Sequence, residues 1–386
     1  MTPFLHVVLR RGMLSICAAV YCAILTAAAP ALAVGPEPGT GELIERLSLQ
    51  EAAQPLRNLP LWRKPERIGV QVPGWILAHV PDAIQRFRRA AGDVEIIEVT
   101  GPSDLRVAQL DAIVGFCSPA MLKAASSLRW LHNFPVGVEG CTLHSDIGKY
   151  EFILTNSQRT SGPTIAEHVI ALMMALTRGL QHHHRNQLEG NWDRSIPEDA
   201  AMFDVEGKTM LVAGLGGIGS EVAQRAAGLG MRVIATRRSG GDGPSFVEYV
   251  GRSDELLALA ARADVVVNAL PLTRETRHLF DRKFFDAVKP GAYFISVGRG
   301  ESTVTSELVA ALKDGRLRGA GLDVIDPEPL PRDHELWRLP NVIITPHISS
   351  QTVESRKRMA TVAIENVRRY VAGEKLLNEV DLKAGY

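Results

Sequence analysis

"TMLVAGLGGIGSEVAQRAAGLG" spans residues 209–230, and its reading decides the fold. Four apolar residues, Met210 to Ala213, read as a buried strand that runs into Gly214, Gly216 and Gly219. A helix-period segment follows, and then a second apolar strand, "MRVIAT" (231–236). A strand, a glycine turn and a helix in that order form a dinucleotide-binding unit. Gly214, Gly216, Gly217, Ile218 and Gly219 line the turn. The glycines let the backbone approach a pyrophosphate, which rests on the helix N-terminus where free amides and the helix dipole favour an anion. The second strand of such a unit usually ends on an acid that binds the ribose 2′-hydroxyl. Here Arg237 and Arg238 take that place. A guanidinium welcomes a 2′-phosphate that a carboxylate would repel, so the expected cofactor is NADP in preference to NAD. A charge-assisted hydrogen bond contributes about 1.5–3 kcal/mol before desolvation. The competing reading is two solvated arginines after a strand.

The same alternation extends in both directions. "RIGVQV", "VEIIEV", "LDAIVGF" and "RWLHNF" read as strands of a first half, with "AIQRFRRAAG" and "PAMLKAASSL" as helices between them. A long helical run, residues 164–180, leads into a polar loop rich in His and Asn. "TMLVAG", "MRVIAT", "DVVVNAL", "AYFISV", "RGAGLDV" and "NVIITP" are the strands of the second half. Continuous Val/Ile runs suit parallel sheets covered by helices on both faces. The fold class is therefore α/β, with two doubly wound parallel-sheet domains.

The length of 386 residues allows two or three domains. Basic and acidic residues balance at 43 each, which argues against nucleic acid as a partner. Four cysteines are too few for a disulfide framework or a typical zinc site, and no metal is expected. Cys117 and Cys141 read as buried thiols. Residues 1–33 resemble a secretory signal: Arg10 and Arg11 precede an apolar stretch from Met13 to Ala29, and "ALA" ends at Ala33. That implies export to a periplasmic or external compartment, whereas a misassigned start would leave the protein cytoplasmic. The apolar stretch is short for a membrane span, so none is expected in the mature chain. Residues 34–65 read as a proline-punctuated extension with one short helix over 42–53.

Ligands of open α/β sheets meet the carboxyl ends of the strands. Such ends in the second half carry Leu270, Pro271 and Thr276, then Val297, Gly298 and Arg299, then Asp323 with Glu328 beyond it, and finally His347. Arg, Glu and His in these places suit reduction of a 2-oxo acid. Arg299 can hold the substrate carboxylate in a bidentate pair. His347 can protonate the oxygen as hydride arrives. Glu328, paired to the other ring nitrogen, would fix the tautomer and stabilise the imidazolium. Each residue alone also has a plain structural reading.

"LVAGLGGIG", "LPLTRETRHLF", "ISVGRG", "LDVIDPEPLP" and "NVIITPHISSQT" occur in an order and spacing that resemble the D-isomer-specific 2-hydroxyacid dehydrogenases. The resemblance runs from about residue 66 to the C-terminus. It implies Arg299, Glu328 and His347 as catalytic residues. It implies a substrate loop in "FPVGVEG" (134–140), where the amides of Val136 and Gly137 receive the carboxylate beside Arg299. It also implies a flavodoxin-like substrate domain, residues 66–157 with 348–386, into which a Rossmann cofactor domain, 158–347, is inserted. Gly214 to Gly219, Arg237, Arg238, Leu270, Pro271, Thr276, Val297, Gly298 and Asp323 would face the cofactor. The helix at 164–180 would join two copies in a homodimer. Within the family, Arg237 is similar to the NADP-preferring glyoxylate/hydroxypyruvate reductase branch, and "GEKLLNEVD" (373–381) to phosphoglycerate dehydrogenase-like members. Two departures stand out: Glu139 replaces the usual loop Asp, and Ser296 the usual Asn. Alternative readings are a nicotinamide-sensing corepressor-like binding protein, or a dehydrogenase of another substrate such as phosphite.

Overall fold

The structure is a computed structural model that describes residues 39–144, 146–195 and 202–386. The signal-like segment, with Cys17 and Cys22, lies outside the described residues. The first sheet contains β1 (Arg67–Val70), β2 (Glu95–Glu98), β3 (Ala112–Gly115), β4 (Trp130–Asn133) and β5 (Ile153–Asn156), all parallel in the order β2-β1-β3-β4-β5. This is the flavodoxin-like strand order. The second contains β6 (Thr209–Ala213), β7 (Arg232–Thr236), β8 (Tyr249–Gly251), β9 (Val265–Asn268), β10 (Ala292–Ser296), β11 (Leu317–Leu322) and β12 (Val342–Ile344). Its order is β12-β11-β10-β9-β6-β7-β8, again parallel throughout, which is the Rossmann order with one added strand. β5 and β8 were not anticipated from the sequence.

The apolar runs explain why the second sheet is buried on both faces. Successive side chains of a strand point to opposite faces. Met210 and Val212 of β6 accordingly join one core with Val265 and Val267, while Leu211 and Ala213 join a second core with Val266. Helix Gly217–Gly228 follows β6 directly and is capped by no side chain. Gly214 adopts a left-handed φ of +99°, and a Cβ on Gly219 would lie 2.0 Å from the Gly214 carbonyl oxygen. Both positions therefore require glycine. Gly216 has nothing within 4 Å of where its Cβ would be, so the space above the turn is open.

The C-terminal helix, Val353–Ala372, returns to the first sheet. Met359, Ala360, Ala363 and Val367 pack there with Phe87 and Trp130, and Tyr370 stacks on Trp130 at 4.6 Å. The extension is less linker-like than expected. Its helix spans Thr40–Leu47, and Leu43, Leu47 and Leu49 pack against Val362 and Leu377. Leu56 enters the core of the first sheet, and the Trp62 indole donates to the Tyr370 carbonyl at 2.9 Å. Its apolar residues recur too sparsely in sequence to announce that burial. The polar stretch after the long helix (Gly162–Thr177) is helical too, Leu180–Leu188, offset by the left-handed Gly179. No helix among the described residues is long and apolar enough to cross a membrane.

Gly219→Ala forces a methyl onto a backbone carbonyl, and an overpacked site of this kind costs about 1–3 kcal/mol. Its Tm should fall. Gly216→Ala meets no protein atom, so its Tm should hold while NADPH binding weakens. Thermal melts and fluorescence titrations of the two variants check the pair; equal behaviour would contradict the assignment of the open space to a ligand.

Candidate active site

Arg299 and His347 lie three residues past the carboxyl ends of β10 and β12, and Glu328 lies in the loop that leaves β11. The last strand, β12, hands the chain to His347, whose φ of +54° places a non-glycine residue in the left-handed region. Its amide donates to the carbonyls of Asp323 (2.9 Å) and Thr345 (3.0 Å), which holds that backbone in place. Strained backbone at a functional site persists only where its surroundings enforce it. The ring Nδ1 lies 2.9 Å from Glu328 Oε2, and Glu328 Oε1 accepts the Ile325 amide at 3.0 Å. Glu328 is thus anchored at one oxygen and orients the imidazole with the other. With Nδ1 committed, Nε2 is the nitrogen left for substrate.

Arg299 follows β10 and points across to the substrate loop. Its Nε donates to Glu139 Oε1 at 2.7 Å, and its Nη1 donates to the Gly298 carbonyl at 2.7 Å. Its Nη2 lies against Gly137, where any Cβ would be 1.9 Å away. Gly137 is glycine because Arg299 needs that space. Burial alone would push the Glu139 carboxyl up; the Arg299 charge and hydrogen bond, with a smaller pull from His347, outweigh it and hold the group below the usual range. Sequence reasoning noted Glu139 as a departure but gave it no role.

Two buried asparagines, also missed, hold the substrate loop from beneath. Asn133 donates to the carbonyls of Pro135 and Gly137, each at 2.9 Å, and Asn156 donates to that of Val136 at 2.6 Å. The amides of Val136 and Gly137 are then the donors the loop can offer a carboxylate. Asn133 Oδ1 also accepts the Cys117 amide at 2.8 Å. Cys117 and Cys141 form a disulfide, which corrects the expectation of free thiols. It closes 24 residues of sequence separation and ties the chain after β3 to the short helix Glu139–Thr142 that carries Glu139. The pairing arises because adjacent strands β3 and β4 deliver both cysteines to the same sheet end, which spacing alone does not reveal.

On the cofactor side, the uncapped helix Gly217–Gly228, the left-handed Gly214 and the open space at Gly216 fit a pyrophosphate. Val297 is buried, and Gly298 packs so closely on the Leu270 carbonyl that a Cβ would lie 2.6 Å from it. The Thr276 hydroxyl donates to the Pro271 carbonyl at 2.7 Å, which folds that loop. Beneath it, buried Asn268 donates to Ser296 and Ser302 and accepts the Leu270 amide. Ser296 thus occupies its position as a partner of Asn268. Arg237 turns into its own loop, donating to the carbonyls of Gly240 and Asp242. Arg238 is exposed and stacks over the Tyr386 ring at 5.0 Å. Of the two arginines, Arg238 is the one free to reach a phosphate.

Asp323, expected at the cofactor, anchors the segment that follows β12. Its buried carboxylate accepts the Thr345 hydroxyl (2.6 Å) and the amides of Ile348 (2.9 Å) and Ser349 (3.0 Å). Burial would raise this carboxyl, but the bonds from Ser349, Thr345 and Ile348 outweigh it and lower it. A lowered native pKa stabilises the fold fully above the ordinary aspartate value of about 3.9, and the contribution drains as pH falls through the native value. Asp323→Asn should therefore cost about 2–3 kcal/mol at neutral pH, the order of lost charged hydrogen bonds. The deficit against the parent should shrink in acid. Denaturant unfolding at pH 7 and below pH 4 checks both, and kcat should fall with the displaced His347.

Residues 170–349 match the signature of the D-isomer specific 2-hydroxyacid dehydrogenase, NAD binding domain. A glyoxylate reductase of Korarchaeum cryptofilum is 34% identical over 277 residues, covering 70% of this chain and 82% of the relative. A glyoxylate/hydroxypyruvate reductase B of Klebsiella pneumoniae is 35% identical over 250 residues, covering 64% and 76%. Among solved structures, a D-isomer specific 2-hydroxyacid dehydrogenase of Xanthobacter autotrophicus in complex with NADPH and MES superimposes with a TM-score of 0.70. It is 26% identical, over 83% of this chain and all of that one. Fold, glycine turn, Arg–Glu–His geometry and relatives converge, and the chain belongs to the D-isomer-specific 2-hydroxyacid dehydrogenase family.

Proposed function

We propose that the protein is an NADPH-linked reductase of small 2-oxo acids of the glyoxylate and hydroxypyruvate class. The observation that carries the reading is the His347–Glu328 pair, brought by one parallel sheet to the same end as Arg299 and the glycine turn. Arg299 and the amides of Val136 and Gly137 hold the substrate carboxylate. A nicotinamide cofactor held on the turn at Gly214, Gly216 and Gly217 would supply the hydride for C2. His347 gives a proton from Nε2 to the ketone oxygen and is left neutral with its remaining proton on Nδ1, facing Glu328. The reverse reaction uses the same groups with the proton returning to Nε2. A sensing role without turnover would not need this donor set, and the named relatives are reductases.

Preference for NADPH is assigned to Arg238, with Arg237 shaping its turn. Losing one charge-assisted contact of about 1.5–3 kcal/mol changes affinity by roughly ten- to hundredfold. Arg238→Asp should therefore lower the NADPH-to-NADH ratio of kcat/KM by that factor; an unchanged ratio defeats the assignment. His347→Gln should reduce kcat by roughly 10²–10⁴-fold with NADPH affinity retained. Both are read by steady-state kinetics with glyoxylate and hydroxypyruvate.

We also propose that the protein works outside the reducing cytoplasm, as a homodimer. The signal-like segment motivates the first part. The Cys117–Cys141 disulfide supports it, since such bonds persist in oxidising compartments. Exposed Leu180 and Leu188 on the short helix that follows the long one, and exposed Trp192 just after it, support the second. N-terminal sequencing of protein from its native host should begin near Val34, thiol alkylation should require prior reduction, and light scattering should return twice the chain mass. A cytosolic protein with its leader intact and two alkylatable thiols at 117 and 141 sinks the export reading, and a monomer mass sinks the dimer.

A further inference from the structure

Arg159 lies in the loop between β5 and helix Gly162–Thr177. Its backbone has φ +69°, a conformation that suits glycine and costs any L side chain. Its side chain lies on the first turn of the glycine helix: a Cβ on Gly217 would fall 2.8 Å from Arg159 Cγ and 3.4 Å from its Cα. The space that Gly217 leaves by lacking a side chain is thus filled by the stem of Arg159. Gly162, three residues on, packs the same loop to the same helix, its own Cβ position lying 3.1 Å from the Gly217 carbonyl oxygen.

The guanidinium is half-buried, and no hydrogen-bond or acidic partner meets it among the described residues. Burial alone acts on it, pushing it below the usual arginine range, although an arginine stays charged in proteins. The other arginines at this seam differ. Arg225 is paired with Glu221 and Glu167, and Arg358 donates to the Thr160 carbonyl and the Thr164 hydroxyl. A strained, half-buried and unpartnered cation beside an uncapped helix N-terminus calls for an anion.

We propose that Arg159 is a cofactor-binding residue that closes over the dinucleotide pyrophosphate on the turn at Gly217. The proposal rests on the cofactor site already described and adds to it a ligand from outside the glycine motif, contributed by the connection between the two sheets. Arg159 so placed makes dinucleotide binding depend on the loop that leaves the substrate sheet.

The test uses Arg159→Gly, a substitution that relieves the left-handed backbone while removing the charge. Its Tm should hold or rise, which separates lost binding from lost folding. Dissociation constants are measured by fluorescence for NADPH, for ADP-ribose, which keeps the pyrophosphate, and for adenosine 2′-monophosphate, which lacks it. The variant should bind NADPH and ADP-ribose roughly ten- to hundredfold more weakly, the value of one charge-assisted contact. Binding of adenosine 2′-monophosphate should be unchanged, as should the KM for glyoxylate at saturating NADPH. Arg159→Lys should recover part of the loss. Unaltered NADPH affinity, an equal loss for adenosine 2′-monophosphate, or a loss confined to the KM for glyoxylate would each overturn the proposal. If Gly216→Ala binds NADPH like the parent, the cofactor site itself has been misplaced, and that failure is distinct from this one.

Discussion

The buried carboxylate of Asp323 is the point on which the reacting geometry depends. It stands at the end of β11, one strand in from the edge, and collects the Thr345 hydroxyl and the amides of Ile348 and Ser349. His168, on the long helix, joins the cluster through Thr345, 2.9 Å from its hydroxyl. A buried anion without such donors would be strongly unfavourable. With them, it fixes both sides of a left-handed residue, and that residue is His347. The imidazole is therefore positioned twice: its backbone through Asp323 and its ring through Glu328.

Glycine supplies the second constraint, by permitting approach rather than flexibility. At Gly219 the helix closes on its own preceding turn; at Gly137 the arginine side chain lies on the substrate loop; at Gly217 a side chain from the other sheet lies on the phosphate turn. The last two of these contacts cross between elements far apart in sequence. They explain how two sheets with separate cores present one set of groups along their carboxyl ends. The chemistry lives on the loops, and the packing that places it lives in the sheets beneath.

The sequence disclosed what is periodic or local. Ten of the strands are visible as apolar runs, and the glycine turn announces its own helix. Arg299 and His347 were legible because each closely follows a strand, where ligands of such sheets bind, and Glu328 because it lies in the loop that leaves β11. What stayed hidden is pairwise and distant. β8 has only three residues at a sheet edge, and β5, within "EFILTN", is short and ends on polar residues. The disulfide, the Glu139–Arg299 pair and the Arg159–Gly217 contact each join positions that share no pattern. Arg237 is a mixed case: its place after β7 suggested a phosphate ligand, and in the structure its Nε and Nη2 donate to the carbonyls of Gly240 and Asp242. Only the geometry distinguishes it from Arg238.

Arg299 faces Glu139 and His347 faces Glu328, so each cationic group of the proposed substrate site already has a carboxylate. On the proposed function, an incoming 2-oxo acid shares Arg299 with Glu139, because Nε is engaged and Nη1 is turned to Gly298. The loop amides at Val136 and Gly137 then matter more than in a site with an unshared arginine, and the two asparagines that hold their carbonyls matter with them. Glu139 reaches Arg299 from a short helix whose position is set by the Cys141 bridge to Cys117. Closing a loop of this length contributes about 3 kcal/mol by restricting the unfolded chain. Its local effect is to keep the loop, the helix and the competing carboxylate in one fixed relation, so the affinity for substrate is a property of the whole braced segment rather than of the arginine alone.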